Sequence, residues 1–557
     1  MRRSTILRAV ATALALAPLA VPAAYAQEEG DSVLVALPQQ VTAWTENFNP
    51  FNQTTTVPSI RDFAYEQLVI FNRMQGGTAE YRLADSYEYG DDLKSVTFHL
   101  RDGLKWSDGE DLTADDVIFT FNMIKDHPAL DLRTVWDRID GVEKIDDQTV
   151  KFDFKEVDTG LIFDLVRVHT VPEHIWADVE DPVSFTNPNP VGNGALTEIV
   201  RFTPQEYVQC RNPYFFQADD LEVDCMRFPQ IANNDQALTA AARGELDWFG
   251  SFLPDIEKTY VAQDPEHHKY WFPGGSLVIF NMNLESENAG NAEAFSDVAF
   301  RRAFSMAMDR QAMVDIAGYG YPTINQYPSG LGQGYHAWNN PEVDAEYGQY
   351  TEYNVDGAKA LLDEAGYADT NGDGFRETPS GEEISFDVIV PNGWTDWVNT
   401  VQIAIEGLNE AGINARVATP EAAAWTQELI DGSYDAAINA LVVGVTPHMA
   451  FDTFHSRKKG TTRFSATRWT NAELDPLLDS FFKTADRDEQ QAIMDDIQMI
   501  LGREMPHVPV FNNPYWYQYN TARFEGFFSA DNAQAVPVVH DGNPERVLHL
   551  LQLSPKS

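Results

Sequence analysis

The nine residues from Asp369 to Glu377 read Asp-Thr-Asn-Gly-Asp-Gly-Phe-Arg-Glu, a spacing that can bind a cation. Side-chain oxygens at Asp369, Asn371 and Asp373, glycine at the sixth place and a backbone carbonyl at Phe375 form the first half of a calcium loop. Ser380 stands at the twelfth place, where a bidentate glutamate is expected, so Glu377 or another acid has to complete the set. The plainer reading is a tight Asp/Gly turn between a helix ending at Gly366 and a strand starting at Ile384, and structural calcium stands beside it. No other cofactor is called for.

Catalytic chemistry lacks its parts. The chain has no Gly-x-Ser-x-Gly elbow, no His-Glu-x-x-His zinc motif and no phosphate-binding Gly-rich loop ending in Lys. His267 and His268 are adjacent, which is poor spacing for two ligands on a helix. Glycoside hydrolysis needs two carboxylates at a set separation, which spacing along a chain with 85 acids does not reveal. A secreted hydrolase is therefore the remote reading and an enzyme is not expected.

Binding chemistry is better supplied. Aromatic residues sit in segments that read as loops: Trp44, Phe48 and Phe51; Trp248 and Phe252; Trp394 and Trp397; Trp516. Flat apolar rings with polar neighbours suit sugars, whose C–H faces stack on rings while hydroxyls bond at the rim. Asn47, Asn49, Asn281, Asn283, Asp396 and Asn512 can supply those bonds, and each can equally cap a turn.

Elements must hold these groups. The run VLVALPQQ over 33–40 reads as an apolar strand, followed by a polar, aromatic loop over 42–51, the place where open α/β sheets present ligand groups. Thr113 caps a helix over 114–124 that opens with two acids. The segment 295–318 reads as one amphipathic helix and 355–366 as another. From 384 onward the pattern is strand, helix, strand, helix, strand, which marks a doubly wound lobe. The fold class is α/β, and a chain of 557 residues divides into two or three domains.

Cys210 and Cys225 are the two cysteines and flank turn signals between apolar runs, which predicts a disulfide across a strand, loop and returning strand. Residues 1–26 carry Arg2, Arg3 and Arg8, a short apolar run and Ala24-Tyr25-Ala26, the pattern of a cleaved secretory signal. No cysteine follows that point for a lipid anchor, so a periplasmic protein is expected. The formal net charge of −46 repels nucleic acid and anionic lipid and speaks against an anionic ligand, unless a local basic pocket reverses this.

Two segments carry a resemblance. Phe300–Gly320 (FRRAFSMAMDRQAMVDIAGYG) and Leu104–Ile124 (LKWSDGEDLTADDVIFTFNMI) resemble the dipeptide/oligopeptide-binding class of ABC transporter solute-binding proteins. TENFNPF at 45–51, VGNGALTEI at 191–199, RNPYFF at 211–216, GIN at 412–414 and REMPHVPVF at 503–511 follow in the class's order. The resemblance implies a periplasmic binding protein-like fold with two hinged lobes and an inserted domain. Lobe one would comprise 27–57, 189–274 and 514–557, the insert 58–188 and lobe two 275–513. It implies a monomer that delivers a small ligand to an inner-membrane ABC permease, with the first loop, the hinge and the turn at Gly393–Trp397 around the cleft. Peptide receptors of the class hold the ligand ammonium with an acid after a lobe-two strand; Gly444–Met449 has none, and Asp452 would have to serve. A cello-, xylo- or manno-oligosaccharide is therefore expected, with an oligopeptide as the alternative.

Overall fold

The computed structural model describes residues 32–557 except Gln53, Thr55, Thr56, Ser59, Asp541 and Ser557. The signal sequence expected over 1–26 lies outside the described residues. Three sheets organise the chain.

The first sheet has seven strands, in the order His268–Tyr270, Gln518–Asn520, Trp248–Phe249, Val33–Leu37, Cys225–Pro229, Glu206–Arg211 and Leu196–Thr203. Val33–Leu37 is buried along its whole length because it runs parallel to Cys225–Pro229 and to Trp248–Phe249, with covered faces on both sides. Cys210 and Cys225 are directly opposed on antiparallel neighbours and are joined by a disulfide. Closing a loop of this length contributes about 3 kcal/mol. A Cys210→Ser/Cys225→Ser variant is expected to unfold at correspondingly lower denaturant, as chemical denaturation monitored by circular dichroism would show.

The second sheet runs Thr323–Ile324, Val508–Pro514, Gly274–Met282, Ala436–Ala440, Ser385–Ile389 and Asn414–Ala418. Its last three strands are parallel and alternate with the helices Thr395–Glu410 and Ala422–Asp431, as the doubly wound pattern predicts. Helix 395–410 lies so close to its neighbour that a Cβ on Gly407 would fall 1.9 Å from the Ala307 carbonyl, so only glycine fits there.

The third sheet, of four strands, comprises Ala84–Tyr89, Ser95–Leu100, Thr149–Phe154 and Ile139–Asp146. Alternation in Ser95–Leu100 puts Val96, Phe98 and Leu100 inside. Helix Ala114–Asp126, begun by a Thr113–Asp116 capping box, covers this sheet.

The chain passes between the first two sheets twice, and the two passages pair. His268–Tyr270 bonds to Gln518–Asn520, Trp271 N–H donates to the Tyr517 carbonyl at 3.0 Å, Tyr515 N–H to the Pro273 carbonyl at 2.9 Å, and Gly274 then faces Pro514. A two-stranded ribbon thus joins the sheets.

The single helix expected over 295–318 is broken instead. Asp297 caps Val298–Met306, the helix stops at Ala307, and Asp309 caps a new start at Arg310 that continues as a π-helical turn, Met313–Ala317. The break follows from two inward arginines. Arg310 donates to the Ser305 and Pro509 carbonyls at 2.8 and 2.9 Å, and Arg301 to the Phe295 and Met505 carbonyls at 2.7 and 3.0 Å and to the Glu504 carbonyl. An amphipathic count treats arginine as a surface residue, whereas here both are buried and bind carbonyls.

A candidate ligand site astride the hinge ribbon

The ribbon connects the two large sheets, and an aromatic cluster gathers on it. Trp516, half-buried, leaves the ribbon and meets Phe252 and Phe272 edge-on with ring centroids 5.5 and 5.0 Å away, and Tyr321 of the other sheet's unit at 6.0 Å. Tyr319 lies 5.9 Å from Phe252 and 6.4 Å from Tyr321, and is 46% exposed, so the cluster keeps an open face. The Tyr321 hydroxyl accepts from Ile256 N–H at 2.7 Å, tying the two sides. This cluster therefore bridges the first-sheet unit and the second.

Beside it, Tyr515 accepts at its hydroxyl from Arg73 at 3.0 Å, and Arg73 is ion-paired with the buried Glu545 at 2.8 Å. Tyr335, on the second-sheet side, donates to the Gly444 carbonyl at 2.8 Å and accepts Gly444 N–H at 2.7 Å, which pins the segment after strand Ala436–Ala440.

A second contact lies at the turn expected from Gly393 to Trp397. Asn234, at the start of helix Asn234–Ala242, donates to Thr395 at 3.2 Å and to Asp396 at 3.4 Å. Trp394 is half-buried and stands 5.1 Å from Trp397 and 6.0 Å from Trp425, which are both buried beneath it. Burial pushes the Asp396 carboxyl up to about 6, because no cation among the described residues is near to compensate.

That shift fixes a pH dependence. A folded-state value of about 6 against an ordinary 3.8 means the neutral acid is preferred in the folded chain, so the contribution is complete below about pH 4 and lost as pH rises through about 6. Asp396→Asn is expected to remove this slope and to raise stability above pH 7 by up to about 3 kcal/mol, readable as melting temperature across pH 4 to 8.

The other expected ligand residues take different places. Trp44 is 2% exposed and packs edge-on against Tyr207, a core plug. Phe51 packs on Trp176 in the same core. Asn49 donates to the Pro182 and Phe185 carbonyls and accepts from Phe51 N–H, and Asn47 accepts from Asn49 N–H, so both shape their own loop. Asn283 holds the Gly432 and Tyr434 carbonyls. Asn512 accepts from Asn325 and from Gln333 N–H at 3.2 and 3.1 Å, close to the ribbon. Asn281 is fully enclosed in the second sheet's unit, and its side chain has no hydrogen-bond partner among the described residues. Asparagines near strand ends look like ligand donors in the sequence; most are turn caps, because a carboxamide satisfies local backbone more cheaply than it waits for a guest.

Asp452 is buried and already ion-paired. Burial pushes its carboxyl up, but His448, Lys458 and Arg457 outweigh this and hold it well below the usual range, and it pairs with Arg457 at 2.8 Å and with Lys458. Sequence reasoning misses Phe272, Tyr319, Tyr321, Tyr335, Tyr515 and Arg73. The run Gly318–Pro322, aromatic and glycine-rich after a helix, is the available signal.

Apart from this site, Asp369, Asp373 and Glu377 converge, their nearest oxygens all within 4.8 Å of one another. Glu377 is buried and accepts from Thr370 and Asn371, which carries it into the place left open by Ser380. Phe375 N–H donates to Asp373 in the same turn. No helix among the described residues is long and apolar enough to cross a membrane.

Comparison with known proteins agrees with this architecture. The mannohexaose-bound periplasmic oligopeptide-binding protein of a Thermotoga maritima ABC transporter superposes with a TM-score of 0.85 at 25% identity, covering 95% of this chain and 99% of that one. The oligopeptide-binding protein AppA of Bacillus subtilis is 25% identical over 464 residues, 79% of this chain and 81% of the relative. The periplasmic alpha-galactoside-binding protein of Rhizobium meliloti is 23% identical over 485 residues, 78% of this chain and 68% of the relative. Residues 78–461 match the family described as bacterial extracellular solute-binding proteins, family 5 Middle. Two sheets on a paired ribbon, an aromatic surface between them and a match over most of the chain place this protein in family 5 of the bacterial extracellular solute-binding proteins.

Proposed function

We propose that this protein is the periplasmic receptor of an ABC importer and binds an oligosaccharide of cello-, xylo- or manno-type between its two large units. The observation that carries the reading is the aromatic cluster of Phe252, Phe272, Trp516, Tyr319 and Tyr321 spanning the ribbon. Rings from both sides form one apolar surface with a tyrosine edge, the chemistry that a pyranose face requires. The Thermotoga maritima neighbour, solved with mannohexaose, supports a sugar guest on this scaffold. The engagement of Asp452 by Arg457 and Lys458 removes the acid that a peptide ammonium would need.

As a solute-binding protein it makes and breaks no bond in its guest. The units joined at Gly274 and Pro514 move as lobes about the ribbon, and a guest that touches both favours the closed state by its differential affinity for it. The ligand surface comprises Trp516 and Trp394, with the buried Phe252 and Asp396 backing them and Asn512 at the ribbon's edge. Delivery is to a membrane permease whose ATPase is a separate chain.

A thermal-shift panel tests this reading. A guest at 100 times its Kd stabilises by about 2.7 kcal/mol, so β-linked oligosaccharides are expected to raise the melting temperature and tri- to pentapeptides to leave it unchanged. Stabilisation by peptides alone would replace the sugar reading with that of an oligopeptide receptor.

We also propose that the loop holding Asp369, Asp373 and Glu377 takes a structural calcium ion. Millimolar calcium is expected to raise the melting temperature of the native chain and not that of Asp373→Ala. Equal curves with calcium and with chelator would leave the loop a plain turn.

A further inference from the structure

In a chain of formal net charge −46, one cavity is walled by arginine. It is a small pocket, open to solvent, between the first loop, the helix Arg61–Ala64 and the unit of the third sheet, lined by Phe51, Arg61, Asp62, Arg133, Arg167 and Gly542 among others.

Among the described residues its charges do not balance. Asp62 is the acid of the wall among the described residues, and it is engaged: Arg546 pairs with it at 3.0 Å, the His169 ring contacts it at 3.3 Å and the Gln67 amide donates to it at 3.4 Å. Asp164, within electrostatic reach, is held by Arg138 at 2.6 Å. Arg167 reaches only the Gly542 carbonyl, at 3.3 Å, and the guanidinium of Arg133 makes no hydrogen bond or ion pair with the described residues. The two arginines also oppose each other. The Arg133 charge and burial together pull Arg167 down to about 9, and burial lowers Arg133. Arginine is a cation at neutral pH in proteins.

Two guanidinium groups within electrostatic reach of each other, with Asp62 and Asp164 in reach but already held by Arg546 and Arg138, leave an excess of positive charge among the described residues, and an arriving anion relieves it. The planar fork of arginine fits a carboxylate with two parallel bonds. Arg167 lies within electrostatic reach of Arg73, which donates to Tyr515 on the ribbon.

We infer that the guest is an acidic oligosaccharide, whose rings lie on the hinge aromatics while a uronate carboxylate enters this cavity and is bound by Arg133 and Arg167. The inference rests on the sugar reading above and narrows it. The acidic exterior does not forbid such a guest, since these cations set the local field inside the cavity.

Calorimetric titration with three probes tests it: mannohexaose, a xylo-oligosaccharide bearing glucuronic acid, and an acidic pentapeptide. The glucuronate probe is expected to bind more tightly than mannohexaose, and Arg133→Gln and Arg167→Gln are each expected to weaken it by about tenfold to a hundredfold, the loss of charge-assisted bonds. Arg167→Lys is expected to recover part of that loss, and the melting temperature of the ligand-free variants reports whether they fold. Equal affinity for the neutral and acidic sugars, or acidic-probe binding that the glutamine variants leave unchanged, overturns the inference and leaves the sugar reading standing. Binding of the peptide alone, with loss in the arginine variants, overturns the sugar reading. Binding of none of the three overturns both.

Discussion

Arg301→Met is expected to destabilise the protein by about 3–5 kcal/mol. The guanidinium is 2% exposed and donates to the carbonyls of Phe295, Met505 and Glu504, which joins the Val298–Met306 helix to the end of the long helix Arg487–Glu504. Methionine fills similar space and removes every donor. Buried carbonyls then lose their partners, and each orphaned group costs about 1–3 kcal/mol. The partners of Arg301 are neutral carbonyls, so the substitution strands no opposite charge, which keeps the loss below a simple sum. Chemical denaturation of wild type and variant would read the difference, and a loss under about 1 kcal/mol would mean that water takes over the carbonyls.

Trp516→Ala is expected to raise the Kd for the guest by about thirtyfold to a thousandfold, or 2–4 kcal/mol, the range of a central aromatic hot spot. The indole stands on the ribbon between Phe252, Phe272 and Tyr321 and touches both units. Its loss removes the stacking surface and loosens the contact that closes over a guest. Trp516→Phe is expected to recover most of the affinity. Trp44→Ala, which opens a hole far from this surface, is expected to lower the melting temperature with little change in Kd for the fraction that remains folded. Calorimetry on the three variants separates a binding role from a packing role.

Much of the fold is legible because it rests on periodicity. The doubly wound strands and helices after Ile384, the Thr113 cap and the alternating strand Ser95–Leu100 lie where the pattern places them, since burial of one face dictates residue type at a fixed spacing. The cysteine pair is legible from the turn between its strands. What periodicity cannot show is a residue whose partner is distant in sequence. Arg301 and Arg310 read as surface cations, and only the carbonyls of Glu504, Met505 and Pro509 explain why they face inward and break the helix.

The same limit governs the site. Trp516 and Trp394 are legible as aromatics in loops, but Trp44 and Trp397 carry the same signature and are buried in cores. Tyr321 becomes a neighbour of Trp516 through the folding of distant segments, nearly two hundred positions apart, and nothing local announces it. The arginine-lined cavity is subtler still. Arg133 and Arg167 are unremarkable singly, and a net charge of −46 draws attention away from a local excess of the opposite sign.

Diffraction from crystals of the protein purified with its natural guest still bound tests the central claim most directly. The expected result is density for linked pyranose rings lying on Trp516, with both large units in contact with it. An extended peptide paired through its main chain with the strands, or a sugar bound away from the ribbon with these rings untouched, would contradict the account.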